Sequence, residues 1–325
     1  MLNKDGKIEI SIIMINYNGL KYLKKTVPAI LNLDIENYEF IVVDNGSFDG
    51  SVDFLKAISG VRLIQHDKIG EKNSACNFAA KQATGSLILF LDNDVEIIDK
   101  QLIKKMLEIK SDISKLGSLG VAVINTGEKT TKEYGGFFGW YFINTRKSIN
   151  PDVLRKKRLF KVGFSQGCIF LIEKRLWELT GGYDESIPFG GDDNDLGIKL
   201  SLLGYDNYVF SGSIQNHLGI TERSMPETLL CRTRNLTYAH LATIVKDFSL
   251  FNMISLVVVY GIYAFLKSIK QSIFKKSPNP TIGFFAGIFL FFKKIPKIIR
   301  ERKRIQDSRI VLKDTFLSIR PPKFN

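Results

Sequence analysis

The chain has 325 residues, of which 45% are hydrophobic and 24% charged, the balance of a folded globular protein rather than a disordered one. Its net charge of +13 is concentrated at one end: fifteen Lys or Arg face three acids from Lys267 to Asn325, leaving 31 bases against 30 acids in the first 266 residues. A near-neutral domain therefore carries a basic tail that seeks an anionic surface, whether phospholipid, nucleic acid or an acidic ligand. Cys76, Cys168 and Cys231 are odd in number and widely spaced, so they make no metal knuckle and read as small buried residues in a reducing compartment. The opening segment is charged and runs straight into a strand, which predicts no signal peptide.

In chain order, residues 8–15 are an apolar, β-branched run, and 20–33 has helical spacing through Leu23, Val27, Ile30 and Leu31. A short buried strand at 39–43 ends at Asp44. A helix at 51–58, a strand at 61–64 and a small-residue helix at 74–83 follow. The apolar run 87–91 stops at Asp92. Continuous apolar strands alternating with helices predict an α/β fold with a mostly parallel sheet covered on both faces. Ligands bind such sheets outside the carboxyl ends of the strands, where Asp44 and Asp92 stand. Beyond a strand at 121–124, the Gly, aromatic and Lys mixture at 127–151 predicts a loop. Strands are expected at 162–172 and 208–210, with a helix at 193–203 capped by Gly204.

Three acidic groupings stand out. Asp92-Asn93-Asp94 closes a long apolar strand, where a carboxylate pair is costly without a cation; the alternative is an acidic turn. Asp44 opens Asp-Asn-Gly-Ser, a tight turn whose Ser47 or Asp49 can cap the next helix, and Asp44 itself can accept a hydrogen bond from a base or ribose. Asp192, Asp193 and Asp195 crowd one helix start. One Asp suffices for a cap, so their mutual repulsion points to chemistry rather than capping alone. His217 is distinguished only by its position after these motifs.

Five segments in order, SIIMINYNGLKYL, IVVDNGSFDGS, ILFLDNDVEI, GGYDESIPFGGDDNDLGIKLSLLGY and IQNHLG, resemble the inverting family 2 glycosyltransferases. VVDNGSxDGS is most similar to the rhamnosyltransferase-like branch. The resemblance covers roughly residues 8–220 and implies a GT-A fold, a nucleotide-sugar donor and Mg²⁺ or Mn²⁺. By position it places Asn16, Tyr17, Asp44 and Asp92 around the donor nucleotide. It places Asp94 and His217 on the metal, Asp193 as catalytic base, and Asp192, Gly182, Tyr183 and Asp184 on the acceptor side. Lys199 stands where the family often has Arg, and loses that residue's bidentate fork.

Residues 248–266 carry no formal charge, 281–292 are strongly aromatic and 293–304 are dense in bases. A span of the first run would carry the basic tail outward, against the positive-inside tendency. The expectation is therefore a catalytic domain at 1–222 and C-terminal membrane-associating helices at 223–325, amphipathic or re-entrant, lying at the cytosolic interface with Lys and Arg on anionic lipid headgroups; a single transmembrane span is the alternative. The expected partners are a nucleotide sugar, a glycan or lipid-linked acceptor and an anionic membrane surface, with no nucleic acid. Two competing readings are a nucleotidyltransferase, which should show a Gly-rich phosphate loop near the N-terminus, and a basic nucleic-acid-binding protein, which should interleave aromatic and basic residues on a fold.

Overall fold

The structure is a computed structural model that describes residues 8–67, 71–131, 133–139, 142, 148–187, 190–219 and 229–323. Its first half is built from β1 (Ile10–Asn16), α1 (Leu20–Leu31), β2 (Tyr38–Asp44), α2 (Ser51–Lys56), β3 (Arg62–Gln65), α3 (Lys72–Gln82) and β4 (Leu87–Asp92). The four strands pair in parallel in the order β3-β2-β1-β4. Side chains alternate between faces. Ile12, Met14, Val42 and Leu89 bury against Leu23, Val27 and Ile30 of α1, while Ile13, Ile41, Val43 and Ile88 bury against Ala75, Ala79 and Ala80 of α3. Burial on both faces explains why β1, β2 and β4 read as unbroken apolar runs, whereas the edge strand β3 does not.

The second half adds β5 (Val95–Glu96), α4 (Leu102–Asp112), β6 (Leu116–Asn125), α5 (Pro151–Lys157), β7 (Leu159–Val162), β8 (Ile169–Glu173), α6 (Lys174–Thr180), α7 (Asp192–Leu202) and β9 (Asp206–His217). β8 joins β4 and β6 antiparallel, β6 pairs with β9 in parallel, and β9 also carries β5 and β7 antiparallel. The strand expected at 162–172 is thus two strands. Between them the Gly163 carbonyl accepts from Asn207, and the Gly167 N–H turns to Asp193 instead of a neighbouring strand. The strand expected at 208–210 is twelve residues long, because Ser211 and Gln215 are buried polar residues that interrupt its apolar signal. The loop expected at 127–151 is packed where it is described: Thr131 bridges to Ile149, and Tyr134, Phe137, Phe138 and Phe142 are buried.

Three helices complete the chain: α8 (Leu229–Asp247), α9 (Leu250–Phe274) and α10 (Asn279–Asp307). They share a core with the sheet domain. Ile198 and Leu202 of α7, with Phe138, Phe142 and Phe164, pack in one cluster with Leu241, Ile244, Phe248, Leu256, Tyr260 and Phe284. The expected boundary at 222/223 lies outside the described residues.

Candidate active site

The parallel register brings the ends of β1, β2 and β4 level, with Asn16 opposite Asp44 and Ile15 opposite Asp92. Asn16 is fully buried and donates to Asp44 Oδ1 at 2.9 Å and to Ser47 Oγ at 3.1 Å, while its own carbonyl oxygen Oδ1 accepts from Asn93 at 2.7 Å. Asp44 Oδ2 accepts from the Gly46 and Ser47 amides. Gly19 cannot be larger, since a Cβ there would lie 2.0 Å from Asn93 Nδ2. Tyr17, half-buried, follows directly on β1. Asp49 accepts the first amides of both α1 and α2, from Leu20 at 2.8 Å and Ser51 at 3.0 Å, so one carboxylate pins the turn to two helices.

Each acid of Asp92-Asn93-Asp94 faces a base. Lys72 Nζ lies 2.7 Å from Asp92 Oδ1, and His217 Nε2 lies 3.4 Å from Asp94 Oδ1. The second contact follows from β5 pairing, which sets Val95 opposite His217. Burial would raise Asp94, but the His217 contact more than offsets it and holds the carboxyl below its ordinary value; His217 is correspondingly raised, Asp94 outweighing burial. Asp192 and Asp193 open α7 beyond Gly190 and Gly191, which take φ of +91° and +99°. Asp193 accepts the Gly167 amide at 3.0 Å and the Tyr183 hydroxyl at 3.1 Å. Burial and then repulsion from Asp192 push it up to about 7. Asp192 is also raised, by burial first. Lys72 is held well above an ordinary lysine: burial opposes this, but Asp92, with Asp192 and Asp193 in range, outweighs it. The strand-end acids and the helix-start acids meet at residues 167–168, where the Asp92 amide donates to the Cys168 carbonyl at 2.9 Å and the Gly167 amide to Asp193, so they border one acidic space.

Behind this space is a buried ionic cluster. Lys246 of α8 lies 2.5 Å from Asp184 and 2.6 Å from Asp195, and Lys199 lies 2.8 Å from Asp195. Lys199 also donates to the Gly182 carbonyl at 2.7 Å. Asp184 is held well below the carboxylate range by Lys246, against the effect of burial. Of the four residues the resemblance places on the acceptor side, Tyr183 is buried with its hydroxyl on Asp193, and Asp192 precedes Asp193 at the start of α7. Gly182 and Asp184 are turned into this cluster and serve its geometry. Gly182 takes φ +65°, and a Cβ would come within 2.2 Å of Asn77 Oδ1.

Residues 11–179 match the protein-family model described as Glycosyl transferase family 2. The chain belongs to this family. Among curated relatives it is 26% identical over 207 residues to a chondroitin synthase of Escherichia coli, covering 60% of this chain and 27% of that one. It is 32% identical over 109 residues to a putative teichuronic acid biosynthesis glycosyltransferase of Bacillus subtilis, covering 32% and 43%. The chain spans 27% and 24% of the lengths of two further relatives, an uncharacterized glycosyltransferase of Rickettsia bellii and an uncharacterized Sinorhizobium fredii protein. Its fold is that of S. aureus TarS 1–349, at TM-score 0.58 and 15% identity over 95% of this chain and 90% of that one. It is equally like the Pyrobaculum calidifontis mannosyltransferase solved with GDP-Man and Mn²⁺, at TM-score 0.57 and 15% identity over 93% and 86%. The mixed sheet flanked by helices is the GT-A type the sequence predicts.

In this family 2 chain, Asp94 and His217 form a two-donor set, and among the described residues no three His, Cys, Asp or Glu gather as a metal cluster. Two donors suit a small hard cation that keeps waters and takes its remaining ligands from substrate phosphates. His217 Nδ1 is buried and, among the described residues, has no hydrogen-bond partner, so no such bond fixes the ring's tautomer. Three participants escape sequence reasoning. Lys72 had one signal: a cation in the first turn of α3 opposes the helix dipole, which calls for a carboxylate partner. Gly167 and Lys246 had none, since no local pattern around either points to its partner, Asp193 for the first and Asp184 and Asp195 for the second.

Proposed function

We propose that the protein is an inverting, metal-dependent glycosyltransferase. It moves a hexosyl or deoxyhexosyl group from a nucleotide-diphosphate sugar to a hydroxyl of a lipid-linked or cell-surface glycan acceptor, at the cytosolic face of a membrane. The observation that carries the reaction is that the acids of the β4 end and of the α7 start meet at residues 167–168, the Asp92 amide donating to the Cys168 carbonyl and the Gly167 amide to Asp193. The rhamnosyltransferase-like reading of the donor rests on the VVDNGSFDGS segment alone.

Asn16, Tyr17, Asp44 and Asp92 hold the nucleotide at the carboxyl edge. A divalent cation held by Asp94 and His217 would neutralise charge growing on the diphosphate leaving group. Asp193 takes the acceptor hydroxyl's proton as that oxygen bonds to the anomeric carbon, from the face opposite the bond to phosphate that breaks. One displacement inverts the centre. Tyr183 and the Gly167 amide orient the base. A value near 7 suits a base that must gain and release a proton at neutral pH.

Titration calorimetry of UDP, GDP and dTDP with and without Mn²⁺ tests the donor site. The wild type is expected to bind one of them in a metal-dependent way and Asp94→Ala to lose that dependence. Unchanged metal-dependent affinity in the variant would refute the assignment of Asp94.

A further inference from the structure

We infer that α9 and α10 form a monotopic docking face for an anionic phospholipid bilayer, lying in its interface without crossing it. On α9, Phe251, Ile254, Val258, Ile262 and Leu266 repeat at helical spacing and are each more than half exposed. On α10, Phe285, Phe289 and Phe292 do the same. Contacts of Phe265 with Phe284 and Phe285 hold the two helices side by side as a hairpin. An exposed apolar surface this long marks a partner. Charge identifies which partner: Lys267, Lys270, Lys275 and Lys276 are exposed where the stripe of α9 ends and the hairpin turns, and Lys293, Lys297 and Arg300 are exposed just beyond that of α10. An apolar ridge bordered by bases matches the boundary between acyl chains and anionic headgroups.

By length and composition α9 could cross a membrane, with 25 residues at mean hydropathy 1.7. Its other face decides the matter. Leu256, Tyr260 and Ala264 are buried in the same cluster as Ile198 and Leu202 of α7, the helix that begins with the site's acids. That inner stripe packs on α8, where Tyr260 meets His240, and on Phe142, so α9 cannot enter hydrocarbon without carrying α8 and its polar residues with it. It therefore lies flat, with one stripe on protein and the other for lipid.

The proposal rests on the membrane placement given above but not on the sugar chemistry, and the two are read separately. Flotation of the full chain with phosphatidylcholine vesicles, with and without phosphatidylglycerol, should show binding that requires the anionic lipid, weakens with salt and is reversed by carbonate. Replacing Lys275, Lys276, Lys293 and Lys297 by Gln should weaken it about a hundredfold or more, at about 1 kcal/mol per base. Phe251→Ser with Phe289→Ser should abolish it. Both variants should keep the wild-type melting transition and nucleoside diphosphate affinity. Resistance to carbonate would mean that α9 crosses the bilayer. An absence of flotation, together with a stripe-dependent dimer in sedimentation, would mean that a second copy covers the face. Either result overturns the proposal.

Independently, the geometry points to Lys72 as a donor-phosphate ligand. Its ion pair with Asp92 and its influence on Asp94, Asp192 and Asp193 place it in the acidic space, where a diphosphate adds more negative charge. We infer that its ammonium passes from Asp92 to a phosphate oxygen when the donor enters. This rests on the donor reading, so wild-type binding of UDP, GDP or dTDP is measured first, and its absence would sink both. Given that binding, Lys72→Met should bind the diphosphate at least tenfold more weakly yet bind the matching nucleoside equally, and Lys72→Arg should recover part of the loss. Equal diphosphate affinity in Lys72→Met, or parallel loss of nucleoside affinity, would overturn the role of Lys72 alone.

Discussion

Asp193, the proposed base, shows how little a side chain needs in order to be tuned for proton transfer. Burial and one like-charged neighbour raise it to about 7, while the Tyr183 hydroxyl and Gly167 amide favour its charged form. Turnover requires that charged form, so activity is expected to rise with pH through about 7 and then level off. Asp193→Asn should keep diphosphate binding and lower turnover by about 10²–10⁴. If Asp192→Asn were the severe variant instead, the two aspartates would exchange roles. Tyr183→Phe removes a bond to the carboxylate, which should move the acid limb of the pH profile to higher pH; an unmoved limb would show that the hydroxyl does not govern the base.

Among elements, α7 is held from both ends of its sequence context: its first turn carries the acids, and its Asp195 is locked by Lys199 and by Lys246 from α8. Lys246→Met leaves Asp184 buried without its cation, which should cost about 3–5 kcal/mol in chemical denaturation. Asp184 has a folded value below its unfolded one, so its contribution is present above the unfolded value and is lost as pH falls through the folded one. Stability of the wild type should therefore fall more steeply in acid than that of Lys246→Met. These couplings mark what the sequence conceals. Asp44, Asp92, Asp94 and Asp193 were legible because they follow apolar runs or open a helix. The sheet's first half was legible because β1, β2 and β4 are buried on both faces and so read as unbroken apolar runs. Lys246, Gly167 and the long β9 were not, because their character comes from contacts made only after distant segments meet.

Across the whole molecule, the change of composition near residue 223 is a change of surface rather than of core. Leu241, Ile244 and Phe248 fill the same cluster as Ile198 and Leu202, and each apolar side chain so buried contributes about 1.5–3 kcal/mol. A chain ending before α8 is expected to be insoluble or to lack a cooperative melting transition by calorimetry. A soluble fragment with a sharp transition would show that the sheet domain stands alone. The Lys246 cluster has a further consequence for the order of synthesis. The strands of the parallel half are all complete by Asp92, so that half can form while the chain is still growing. The helix bearing the proposed base is pinned by Lys246 through Asp195, and it gains that anchor only once residue 246 has been added. A growing polypeptide thus holds its proposed donor edge before the helix of its proposed base is anchored.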